Sequence, residues 1–126
     1  MVRMTAKQLG IRGPAENKYH AKRVGAFDSM AERDRHQYLM MKFHAGHITE
    51  PAHHPVIELE PGVTYEADFG YFDVNEGLVY EDVKGVEGSR FRLIKKIWVL
   101  HGPGVLRVVK RTRNGWKITK EIKGAC

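Results

Sequence analysis

With 126 residues, 42% hydrophobic and 29% charged, the chain has material for one soluble domain with a real core and too little for two. No apolar run nears the roughly 18–20 residues of a membrane-spanning helix, and "MVRMTAKQLGIRG" offers no apolar signal core, so a cytoplasmic protein with no membrane partner is expected. The single cysteine, Cys126, excludes a disulfide framework and any cysteine-based zinc site within these residues.

The net charge of +6 is unevenly spread. Residues 1–25 hold six Lys/Arg against Glu16, a net +5, and residues 107–126 hold seven against Glu121, a net +6. The middle of the chain is therefore acidic by five charges. Basic flanks suit phosphate neutralisation, and clustered carboxylates sit comfortably beside nucleic acid only when a cation screens them. Charged termini that bind nothing in particular are the plainer alternative.

In chain order, residues 1–26 carry three glycines and a proline with no sustained period and read as a basic arm. "DSMAERDRHQYLMMKFHAG" has helical signals at both ends. Ser29 can cap it with Glu32 at the capping-box spacing, and Gly46 can stop it. His36, Leu39 and Phe43 share a face with Glu32. "PVIELE" reads as a strand, "PG" as a turn, "VTYEADFGYFDV" as one long second strand, and "NEG" as the hairpin into "LVYEDVKG". "SRFRLIKKIWVLHG" follows a helical period up to Gly102-Pro103. "GVLRVVKR" returns as a strand, and "NGWKITKEI" reads as a short hairpin arm within a basic tail over 110–126. The expected fold is α/β (α+β) in the order α-β-β-β-α-β, a small mixed central sheet flanked by helices, in a single domain.

The chemistry concentrates in acids. Strand alternation points Asp82 and Lys84 to one face and Glu81 to the other. A hairpin makes the strand of Asp68 the neighbour of the strand of Asp82. Two carboxylates at that range repel unless something positive lies between them. Mg²⁺ meets this need with oxygen ligands and bridges to phosphates. Lys84 would stand beside the pair, able to orient water or neutralise charge on phosphorus. Glu32 can add a third acid or simply cap its helix. Asp68 can line a solvated face, and Lys84 can be a charge that protects an edge strand. The histidines of "HAGH" and "AHHP" do not complete a zinc site, because Gly46 interrupts the first pair and no cysteine joins either.

The strings "KYHAKRV", "AFDSMAERDRHQYL", "VTYEADFGYF", "VYEDVKG" and "FRLIKKIW", in this order over about residues 17–110, resemble the PD-(D/E)xK nuclease superfamily. They resemble more narrowly a family of small phage and prophage endonucleases similar to Holliday-junction resolvases. The resemblance implies a restriction-endonuclease-like core. It makes Glu32, Asp68 and Asp82 the metal carboxylates, Lys84 the motif lysine and the Val83 carbonyl a further ligand. It implies Mg²⁺, with Mn²⁺ able to substitute, and phosphate contact by Lys95. Two departures stand out: Ala67 replaces a proline before Asp68, and His54 stands where the smaller family has Gln. His54 can bond DNA or a neighbouring carboxylate, or be a satisfied surface residue, which is the favoured expectation.

The implied activity is a metal-dependent DNA endonuclease, selective for Holliday junctions or other branched DNA in phage recombination, repair or packaging. Lys18, Tyr19, Lys22, Arg23, Arg90, Lys95, Arg111 and Arg113 are its candidate DNA contacts. Trp116 either stacks on an exposed base or packs in the core. Symmetric cutting of a branch needs two sites and hence a homodimer. A non-catalytic nucleic-acid-binding module of the same fold, a nicking enzyme and an RNA nuclease are the competing readings.

Overall fold

The computed structural model describes residues 29–83 and 88–125. The arm 1–26, with Lys18, Tyr19, Lys22 and Arg23, lies outside the described residues, as do Lys84 and Cys126. Helix α1 spans Met30–His44. Ser29 Oγ accepts the Glu32 N–H at 3.1 Å, which satisfies one of the donors left open at a helix start. At the other end Gly46 takes φ +82°, and its N–H donates to Phe43 O while His47 N–H donates to Lys42 O, both at 2.9 Å. That pair of bonds is a Schellman stop, which needs a residue at ease with positive φ. The buried face of α1 holds Glu32, Arg35 and Leu39, two charges and one hydrocarbon.

The chain then runs through β1 (Ala52–His53), β2 (Val56–Glu60), β3 (Val63–Glu66) and β4 (Phe69–Asp73). The single strand expected over 63–74 is two strands in two different sheets. β2 pairs with β3, and β1 with β4, so the four pieces form one long antiparallel hairpin bent in its middle. Both arms bend at the same level. On one arm His54 adopts φ +55° and is followed by Pro55, which has no N–H to give a ladder. On the other the ladder lapses at Ala67 and Asp68, whose main chains bond across the bend: Ala67 N–H to Pro55 O at 3.0 Å and His54 N–H to Asp68 O at 2.9 Å.

β5 (Gly77–Val83) returns antiparallel to β4 in the register Phe69↔Glu81. Helix α2 (Ser89–His101) crosses to β6 (Val105–Thr112), which runs parallel to β5. β7 (Gly115–Lys123) pairs with β6 along its whole length, so the tail expected as a short arm is a nine-residue edge strand. The main sheet has the order β1-β4-β5-β6-β7. The chain is thus mixed α and β, with a five-stranded mixed sheet and two helices.

Alternation along β5 and β6 divides the core between two faces. On one, Val79, Phe69 and Tyr71 pack with Leu39 of α1 and Ile48. On the other, Leu106 and Val108 pack with Phe91, Ile94 and Trp98 of α2 and with Ile57, Leu59 and Tyr65 of the bent-over hairpin. Trp98 is fully buried and donates its indole N–H to Gly104 O at 3.0 Å. A Cβ at Gly102 would meet that ring at 2.5 Å, so the residue that ends α2 is also one that only glycine can fill without displacement.

Candidate active site

The site lies where β4 begins and β5 ends, at the bend of the hairpin. The register that pairs Phe69 with Glu81 brings Asp68 opposite Asp82. Beyond that last ladder pair Asp68 N–H still donates to Glu81 O at 3.0 Å, and side chains add to the bonding. Asp68 N–H donates to Asp82 Oδ1 at 3.1 Å, and Val83 N–H donates to Asp68 Oδ2 at 2.8 Å. Each carboxylate is therefore aimed by the main chain of the opposite strand. Asp82 is 1% exposed.

Glu32 joins from the first turn of α1. Its carboxyl reaches the Asp68 side chain, and it also meets His54 Nε2 at 3.1 Å and His53 Nε2 at 3.4 Å. Burial pushes the Glu32 carboxyl up, but its bonds with His53, His54 and Asp68 outweigh burial and hold it well below the usual carboxylate range. Two carboxyl groups in contact require a proton or a cation between them. Glu32 from the helix, Asp68 from the hairpin bend and Asp82 from β5 thus form a continuous chain of contacts, the last link running through the Asp68 N–H, with Val83 beside Asp68.

Of the readings of His54, the favoured surface one needs correction and the bond to a neighbouring carboxylate is the one observed. His54 is buried, and its unusual φ turns the imidazole inward onto Glu32 rather than out to solvent. His53 stacks on it with ring centroids 3.9 Å apart and leans on Phe69 at 5.7 Å. "AHHP", set aside as a metal motif, therefore delivers two imidazoles to one carboxylate. Among the described residues, Glu32, His53 and His54 form the one group of three potential metal ligands, each offering an atom within 4.8 Å of the others. The signal available in the sequence was the doublet itself, placed just before the first long strand. The histidines of "HAGH", His44 and His47, are both exposed.

Glu81 and Asp82 face opposite ways, as strand alternation requires. Glu81, fully buried, takes both guanidinium bonds of Arg35, Nε to Oε1 at 2.7 Å and Nη2 to Oε2 at 2.8 Å. It also accepts a short bond from the Tyr71 hydroxyl, and Arg107 Nη1 stands 3.9 Å away. Arg107 continues outward to Glu76 and Glu121 at 2.5 and 2.8 Å. Sequence reasoning missed Arg35, Tyr71 and Arg107. Arg35 was findable, since it lies three residues after Glu32 on the same helix face.

The candidate DNA contacts divide between the faces of the sheet. Arg90 and Lys95 belong to α2. Arg90 Nη2 donates to Thr64 O at 3.0 Å, and Lys95 Nζ lies 5.7 Å from the Phe91 ring centre. Arg111 pairs with Asp34 of α1 on the opposite face, and Arg113 is exposed in the β6–β7 turn. Trp116 is half-buried, with the Arg35 guanidinium 5.2 Å from its ring centre, an arrangement nearer to packing than to a free stacking surface. No described helix is long and apolar enough to cross a membrane. Comparison with protein-family models, with curated proteins and with solved structures yields no match to this chain.

Proposed function

We propose that the chain is a metal-dependent DNA endonuclease with a PD-(D/E)xK, restriction-endonuclease-like core, acting on branched DNA as a homodimer in the cytoplasm, that of the host if it is phage-encoded. The observation that carries this reading is the contact chain Glu32–Asp68–Asp82 at the hairpin bend. Three hard oxygen donors from separate elements fit the ligand preference of Mg²⁺ or Mn²⁺. The touching Glu32 and Asp68 carboxyls are the specific point at which a cation would relieve repulsion. Glu32, Asp68 and Asp82 are the residues proposed to hold it, closing up around the ion because their oxygens do not yet share one sphere, and the Val83 carbonyl is the proposed further ligand. When bound, such a cation supplies Lewis-acid stabilisation of charge on the phosphorus oxygens and makes water nucleophilic near neutral pH.

The chain's own residues prepare that site. The Val83 and Asp68 amides fix the rotamers of Asp68 and Asp82 in advance, which reduces the reorganisation needed when substrate arrives. His53 and His54 keep Glu32 ionised despite its burial. Lys84, one residue past β5, is the proposed amine at the edge of the acids. The end of the β6–β7 hairpin, with Lys110, Arg111, Arg113 and Lys117, is a basic stretch suited to backbone phosphates without base readout.

The test is cleavage of supercoiled plasmid, a synthetic four-way junction, linear duplex and RNA of equal length, with and without Mg²⁺. Junction cutting that depends on Mg²⁺ is expected. Asp82→Ala is expected to abolish cutting while junction binding persists or tightens, because a negative charge near phosphate is gone. Intact substrates under all conditions, or full cleavage by Asp82→Ala, would overturn the assignment.

A further inference from the structure

Why is a strained backbone held at His54 only to place one imidazole behind a carboxylate? A non-glycine residue at φ +55° costs on the order of 1–2 kcal/mol relative to ordinary conformations. It persists where surrounding structure enforces it, and such outliers collect at ligand-binding sites. Here the enforcement is visible: the His54 N–H is tied to Asp68 O, and Pro55 follows, its carbonyl tied to Ala67 N–H. The result is that two adjacent residues, which on a regular strand would face opposite ways, present both Nε2 atoms to the same carboxylate.

The spacing is that of a coordination sphere. With metal–nitrogen and metal–oxygen bonds of about 2.0–2.1 Å, neighbouring ligand atoms in a tetrahedral site lie roughly 3.3 Å apart. The observed Nε2–oxygen separations are 3.1 Å for His54 and 3.4 Å for His53. The rings are fixed from outside, His53 by Phe69 and His54 by burial, so little freedom would be lost on binding. Imidazole nitrogen suits Zn²⁺ and its first-row neighbours and does not suit Mg²⁺.

We infer that Glu32, His53 and His54 form a nitrogen-rich site for a first-row transition ion of the Zn²⁺ type. This goes beyond the endonuclease reading, since it concerns binding and stands whether or not DNA is cut. The ion would take the two imidazole nitrogens and the Glu32 carboxylate, whose Oε1 faces His54 and whose Oε2 faces His53.

The test uses the full chain stripped of metal with a chelator. Zn²⁺ is titrated calorimetrically in the presence and absence of millimolar Mg²⁺, and Co²⁺ uptake is followed by its visible absorption. One equivalent of Zn²⁺ is expected, bound saturably both with and without Mg²⁺, and Co²⁺ bands in the range of mixed nitrogen–oxygen ligation. His53→Ala and His54→Gln should each weaken Zn²⁺ by at least about 10–100-fold, the loss that even an outer-shell change produces. His54→Gln keeps a hydrogen-bonding group toward Glu32. His53→Ala alters a half-exposed residue and decides the matter should the former misfold. Asp82→Ala should leave Zn²⁺ uptake intact while removing Mg²⁺-dependent cutting, so the two proposals fail separately. Absence of saturable Zn²⁺ binding, or binding unchanged in both histidine variants, would overturn this inference and place any bound ion elsewhere in the chain.

Discussion

Glu81 and Asp82 are neighbours in sequence, both essentially inaccessible to water, and their surroundings are opposite in kind. Glu81 faces α1 and is compensated within the molecule by a bidentate Arg35, a tyrosine hydroxyl and Arg107. Asp82 faces the bend, where the next groups along the chain of contacts are two further carboxyls and a pair of imidazoles. A buried acid matched by arginine holds parts of a fold together. Acids gathered at one bend offer a place for an outside cation, as suits a site kept for function at some expense of stability.

Changes on the Glu81 side should therefore cost folding energy, and changes on the Asp82 side should not. The largest effect belongs to Arg35→Ala, which leaves a fully buried carboxylate without its main partner. A loss of about 3–5 kcal/mol in urea unfolding is expected for breaking such a pair; a loss below 1 kcal/mol would remove the distinction drawn between the two acids. Tyr71→Phe comes next. It deletes the hydroxyl's bond to Glu81 and the longer one it accepts from Arg107 Nη1 at 3.4 Å, and a loss of about 1.5–3 kcal/mol is expected at neutral pH.

The same variant has a pH signature. Burial pushes the Tyr71 hydroxyl up, and the Glu81 charge and hydrogen bond push it further. A free tyrosine ionises near pH 10. A raised folded value means that its contribution is fully present below about pH 10 and drains away as pH rises from there toward the folded value. Unfolding measured between pH 8 and 11 should slope downward at the alkaline end for the natural protein and less so for Tyr71→Phe. Equal slopes would show that Tyr71 is not responsible.

The smallest effect has the opposite sign. Asp82→Asn keeps the oxygen that receives the Asp68 amide but subtracts a charge from the acidic group. In metal-free buffer its stability should rise by about 0.5–2 kcal/mol, and thermal stabilisation by Mn²⁺ should shrink. Destabilisation by this change would mean that Asp82 is held for structural reasons, as Glu81 is.

Much of this architecture was legible from residue order. Ser29 and Gly46 marked the ends of α1 because capping and positive φ are local demands. Gly102 marked the end of α2 for a local reason too. The opposing faces of Glu81 and Asp82 followed from strand periodicity alone. The bend at His54 and Ala67 was not legible, since each arm has strand-like composition and the break arises only from how the two arms meet. For the same reason His54 was read as a surface residue: its inward turn depends on a backbone angle that residue type does not specify. The Arg35–Glu81 pair spans 46 positions and needed the docking of α1 to appear.

That docking has one more implication. The sheet-facing side of α1 is lined by Glu32, Arg35 and Leu39, so the helix is seated by charge as much as by oil. A greasy helix can rotate or slip by a turn and still find cover. One whose guanidinium must plug into a single carboxylate cannot, because every other alignment strands both ions. Arg35 thus works as a key in a lock, and Glu32, one turn ahead of it, is delivered to the hairpin corner in the only orientation the key permits.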